Sequence, residues 1–171
     1  MQRTATTLLI LATGLLLSGC ITIQPPTVAQ DDDRTETTQP TAPGSSLDTE
    51  CGDGDSILLN EPGIEYELRG DCAEVIIEGA DIEVDAENIE SLTIRGDRNS
   101  VDANIVGSVE INGQENELDA DEVGSITIAG DRNEVDGKLG VIVFSGNDNV
   151  ADDDDDDIGS VTDNGSGNRV E

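Results

Sequence analysis

Gly96–Asp102 reads Gly-Asp-Arg-Asn-Ser-Val-Asp, Gly113–Asp119 reads Gly-Gln-Glu-Asn-Glu-Leu-Asp, and Gly130–Asp136 reads Gly-Asp-Arg-Asn-Glu-Val-Asp. The three stretches start 17 residues apart, and the spacing extends well beyond them. Val75, Leu92, Val109 and Ile126 begin successive rows; Ile142 follows after 16 residues and Val161 after 19. Within each row an apolar residue comes two positions later (Ile77, Ile94, Ile111, Ile128, Phe144) and a glycine four positions later (Gly79, Gly96, Gly113, Gly130, Gly146, Gly165). Asn99, Asn116, Asn133, Asn149 and Asn168 form a further column, with Ile82 in the first row. Val84, Val101, Leu118 and Val135 form another, and Ile89, Val106, Val123, Leu139 and Ile158 a last one. An earlier row fits on Ile57, Leu59, Ile64 and Tyr66.

A fixed period of this size in short alternating runs of β-branched residues marks a solenoid. The runs suit strands of three to five residues and no helix. The expected fold is all-β: a short parallel β-helix of about 17 residues per coil and six to seven coils, right-handed because parallel crossovers favour that hand. Stacked columns of Ile, Val and Leu fill a narrow core, which accounts for a chain with one Phe, one Tyr and no Trp. The glycines are expected at corners that require positive φ. The asparagines are expected to point inward and form a ladder of amides bonded to backbone or to one another.

The slot two residues after each glycine reads Asp81, Arg98, Glu115, Arg132, Asp148. Strict alternation of sign suits neighbours on adjacent coils, where opposite charges contribute about 0.2–1 kcal/mol per pair. Another column is uniformly acidic: Asp85, Asp102, Asp119, Asp136 and Asp152. At about 5 Å in water each adjacent pair repels by roughly 0.8 kcal/mol. Salt, bound cations or hydrogen bonds from turn amides would offset that. The run Asp152, Asp153, Asp154, Asp155, Asp156 and Asp157 falls in the lengthened row and reads as a bulging loop. With Asp53 and Asp55 it offers oxygen ligands for calcium. It contains no EF-hand or nonapeptide calcium motif, and a charge run also reads as a solvated face.

Asp and Glu outnumber Lys and Arg by 39 to 8, for a net charge of −31. That excludes nucleic acid as a partner and disfavours attraction to anionic lipid. It suits cations, a basic envelope partner or a salty medium. β-Helices include polysaccharide lyases and hydrolases, so a carbohydrate-active enzyme is the alternative class. The chain has no His for acid–base work, and Tyr66 and Phe144 both fall in core slots. The expectation is therefore a non-catalytic module without a cofactor, calcium being the one candidate ion.

The N-terminus carries Arg3, the apolar run Leu8–Leu17 and then Ser18-Gly19-Cys20. A charged start, short apolar core and small residues read as an export signal. Leu17-Ser18-Gly19-Cys20 resembles the lipobox of bacterial lipoproteins. The resemblance implies cleavage between Gly19 and Cys20, lipidation at Cys20, and attachment to the membrane on its extracytoplasmic side. Residues 20–50, rich in Thr, Pro and Asp, read as a disordered tether, and 51–171 as the solenoid. The remaining Cys51 and Cys72 read as a disulfide, which an exported chain permits. The alternative metal site has no His and no CxxC spacing behind it.

Cys51-Gly52, Gly70-Asp71-Cys72 and the recurring G-x-x-N-x-[VL] at Gly96, Gly113, Gly130 and Gly165 resemble the domain-of-unknown-function 3060 family, found mainly in actinobacterial secreted or lipoprotein chains. The resemblance implies a surface lipoprotein with a capped β-solenoid and supplies no activity. Ile82 in place of the first Asn, the stronger acidity and the Asp152–Asp157 insertion depart from the pattern.

Overall fold

The computed structural model describes residues 46–52, 54–154 and 158–171. The expected export signal, Gly19, Cys20, most of the expected tether, Asp53 and Asp155, Asp156 and Asp157 lie outside the described residues. The described chain is a β-solenoid of about seven turns without a helix. Its strands are β1 (Ser46–Glu50), β2 (Ser56–Leu59), β3 (Glu65–Ile77), β4 (Glu83–Ile94), β5 (Ser100–Ile111), β6 (Glu117–Ile128), β7 (Glu134–Phe144), β8 (Val150–Asp153), β9 (Ser160–Asp163) and β10 (Arg169–Val170). Every pairing is parallel, and β3 to β7 stack in sequence order. Two boundaries differ from the expectation. Ser46–Glu50, assigned to the tether, is a strand that pairs with Glu65–Arg69 of β3. The strands of the central coils are 11 to 13 residues long, because the chain bends without leaving the ladder.

Three ladder segments make each coil. Between β4 and β5 they are Glu83–Ala86, Asn88–Ile89 and Ser91–Ile94, paired at a constant offset of 17. Single residues between the segments turn two corners, and the Gly-x-x-Asn stretch turns the third. Alternation within each segment sends one residue in and the next out. The inward set is the predicted one: Val84, Ile89, Leu92 and Ile94 of one coil sit on Val101, Val106, Val109 and Ile111 of the next, all buried. Tyr66 and Phe144 are core residues. Each aliphatic side chain here is buried on stacking alone, worth roughly 1.5–3 kcal/mol. No sheet-on-helix layer is needed.

Two changes of coil length fall at the same corner. Arg69 and Gly70 add a residue between Leu68 and Asp71, and Gly70 has φ 88°. Four coils later, in the opposite sense, Asp121 has no counterpart between Gly137 and Lys138, and Gly137 has φ 133°. Asp153 still pairs with Gly137 at an offset of 16, and the next pairing, Val141 with Ser160, has an offset of 19.

The glycine column corrects the expected reason for glycine. Gly96, Gly113, Gly130, Gly146 and Gly165 do not carry positive φ. A Cβ on any of them would overlap the carbonyl oxygen of the glycine one coil earlier, such as Gly79 O beneath Gly96. The left-handed conformation belongs to the charged slot instead. Asp81, Arg98, Glu115, Arg132 and Asp148 have φ between 55° and 58°. Gly63 and Gly167, with φ 71° and 74°, occupy the equivalent turns in the neighbouring coils at either end.

Candidate functional site

The Gly-x-x-Asn corner is built from three interlocked columns. The left-handed residue turns its N–H toward the next coil: Arg98 N–H donates to Gln114 O at 3.0 Å and Arg132 N–H to Asn147 O at 3.0 Å. Glycine N–H groups bond the other way, Gly96 to Ile77 O and Gly113 to Ile94 O. Asparagine fills the inside of the turn. Asn99 N–H and its side-chain amide both donate to Asn116 Oδ1, at 2.9 and 3.1 Å. Asn116 repeats this toward Asn133, Asn133 toward Asn149, and Asn149 toward Asn168. Ile82, lacking an amide, still donates its N–H to Asn99 Oδ1. Asn99, Asn116, Asn133 and Asn149 are buried, and no buried side-chain polar atom among the described residues lacks a partner.

The alternating charges resolve into separate pairs. Arg98 reaches back to Asp81 through Nε and an Nη, at 2.8 and 3.0 Å. Arg132 reaches back to Glu115 at 3.0–3.1 Å and to Gln114. The Arg98 hydrogen bonds hold the Asp81 carboxyl below its ordinary range, and Asp81 in turn raises Arg98. All four side chains are about half exposed, so solvent screens both pairs and they add little to stability.

Asp85, Asp102, Asp119, Asp136 and Asp152 lie side by side in register, pointing outward. Glu83, Glu117 and Glu134 lie two residues away on the same side. This side of the coil is a nearly continuous acidic sheet. Partial burial and then repulsion from Asp119, Asp152, Asp154 and Glu134 push the Asp136 carboxyl up. Among the described residues no group of three or more carboxylates is disposed to hold a metal ion.

Of the acidic run, Asp152 and Asp153 belong to β8 rather than to a bulging loop. Asp153 is buried at the slot held by Ala86, Ala103, Ala120 and Gly137 in earlier coils, where it accepts the Leu139 N–H at 2.7 Å. Asp154 N–H donates to Gly137 O. Cys51 and Cys72 are bonded, with Cα atoms 5.0 Å apart and Cys72 in register with Ile89.

A third side differs from all of these. Its outward columns read Ser56, Glu74, Ser91, Ser108, Ser125, Val141, Ser160 and Leu58, Ile76, Thr93, Glu110, Thr127, Val143, Thr162. Both carboxylates here are already engaged: Glu74 accepts the Ser56 hydroxyl at 2.6 Å, and Glu110 accepts the Asn112 amide at 2.8 Å. Sequence reasoning followed the inward residues and the charges and missed this side. Reading every row at the two positions flanking Leu92, Val109 and Ile126 would have found it.

The family model described as "Protein of unknown function (DUF3060)" matches residues 65–105 and 94–141, the coils that carry the Gly-x-x-Asn corner. No curated protein and no solved structure matches the chain.

Proposed function

We propose that this DUF3060-type β-solenoid is a non-catalytic binding or structural module displayed on the outside of the cell envelope, carried by a lipid at Cys20 and a Thr/Pro/Asp-rich tether. One observation carries the reading: outward residues are sorted by side, with the in-register acidic columns through Asp85–Asp152 on one side and hydroxyl and aliphatic residues on another. Such a rod presents uniform chemical surfaces along its length. The acidic side suits cations or a basic envelope partner and keeps the protein dispersed in salt. Two or three acyl chains on Cys20 would supply a stable anchor.

Mass spectrometry of the N-terminal peptide from cells producing the full chain tests the reading. The expected result is an acylated Cys20 at the N-terminus and fractionation with membranes, both lost in Cys20→Ser. An unmodified Cys20 preceded by an intact Gly19 would refute it.

A further inference from the structure

The charge-poor side of the solenoid is exceptional on a chain of net charge −31. Only two of its outward positions bear charge, and both of those carboxylates are hydrogen-bonded within the chain. It also carries two of the large exposed apolar side chains, Leu58 and Val141, about half exposed. A surface open to water has no reason to exclude carboxylates that crowd the other side. A surface that packs against another protein does, because an unpaired charge there must be desolvated.

We propose that this face pairs with the same face of a second copy, about a two-fold axis running along the stack of coils. Two like-charged chains meet at least electrostatic cost where each carries the fewest carboxylates, and each acidic side then points away from the partner. In this arrangement no carboxylate meets a carboxylate, and the Ser56-bonded Glu74 falls against Ile76, whereas the alternative brings two carboxylates together. An axis along the coils sets the first outward column of one copy against the second column of the other, at the same rung. Glu110 on the central rung then faces the Ser108 hydroxyl of its partner, and Val141 faces Val143. A two-fold axis along the strands through that rung would set Glu110 against Glu110. Small hydroxyl side chains let two in-register sheets approach to the ordinary face-to-face separation of about 10 Å.

Seven rungs at about 4.8 Å, each four residues wide, give a footprint of roughly 400 Å² per copy. A standard stable interface uses about 800 Å² per partner. The dimer is therefore weak, concentration-dependent and favoured by salt, which screens the repulsion between the two acidic bodies. The pairing goes beyond the display role proposed above and does not depend on lipidation.

Sedimentation equilibrium of the full chain, from micromolar to near-millimolar concentration in molar potassium chloride, tests it. The expected result is a reversible monomer–dimer equilibrium that weakens in dilute buffer and is abolished by Val141→Glu and by Ser125→Asp. Both positions are exposed, so circular dichroism should show each variant folded; Asp102→Asn, on the acidic side, should not weaken pairing. A monomer throughout the range, or a dimer that survives either face substitution, would overturn the proposal, including the case in which the face serves a different partner.

Discussion

Asn116 Oδ1 accepts two hydrogen bonds from the same residue one coil away, the backbone N–H and the side-chain amide of Asn99, at 2.9 and 3.1 Å. Both donors are buried, so removing the acceptor leaves each unsatisfied at about 1–3 kcal/mol. Asn116→Ala is expected to cost more than about 2 kcal/mol, and Asn116→Asp no less, because it keeps an acceptor for Asn99 but buries a carboxylate whose other oxygen faces Asn133 Oδ1. Urea unfolding monitored by circular dichroism checks this; an alanine variant within about 0.5 kcal/mol of the parent, a typical surface value, would deny the ladder its role.

Gly113 sits with its Cα against the Gly96 carbonyl. A methyl group there forces two coils apart, and backbone has no rotamer with which to yield. Gly113→Ala is expected to destabilise by about 3 kcal/mol, at the upper end for overpacking. A thermal melt of the purified variant reads the effect directly.

The charged slot makes the opposite prediction. Asp148 holds φ 55° with an ordinary side chain, a conformation that costs about 1–2 kcal/mol relative to glycine. Asp148→Gly is expected to stabilise the fold by about 1 kcal/mol after the greater chain entropy of glycine is counted. Arg98→Gly should gain less, since it also loses the contact to Asp81. Side-by-side melts of the two variants give the order.

Asp136 and Asp81 should respond to pH with opposite sign. Burial and like charges raise the folded pKa of Asp136 above its unfolded value, so its ionised form opposes folding, and that penalty is released as pH falls through the folded pKa. The Arg98 hydrogen bonds lower the folded pKa of Asp81, so its contribution is present above the unfolded pKa and is lost as pH falls through the folded one. Asp136→Asn is therefore expected to raise the melting temperature at neutral pH in dilute buffer, with a smaller gain in mild acid or molar salt. Asp81→Asn should lower it slightly at neutral pH. Melts over a grid of pH and salt resolve the two.

The Cys51–Cys72 bond closes a 21-residue separation at the first coils. Reduction is expected to remove about 3 kcal/mol, the magnitude for a loop of that order. Equal melting temperatures with and without reductant would contradict this.

Much of this architecture was legible because a solenoid writes its three-dimensional neighbours at a fixed distance along the chain. The spacing of Val84, Val101 and Leu118 is at once a sequence period and a stack of core contacts. The glycines were harder to read, since the residue answers two different demands: positive φ and close approach of backbone. The signal separating the two was Gly63 and Gly167, which take the left-handed turn that Asp81 and Asp148 take in neighbouring coils. Asp153 was hidden by its neighbours in a run of identical residues, although Ala86, Ala103 and Ala120 already marked its slot as inward. Ser46–Glu50 escaped because a five-residue strand with Leu47 as its one large apolar residue resembles a tether until its partner Glu65–Arg69 is in place.

The corner where coils gain and lose residues has a consequence for how such a chain can change. Gly70 and Gly137 absorb one residue more and one residue less there, while the ladders on both flanks stay in step. Elsewhere a single-residue insertion would turn core side chains outward along the rest of its strand. Variation, grafted epitopes or new loops therefore have one permissive line along the rod, and any coil can receive a graft there without its neighbours being rewritten.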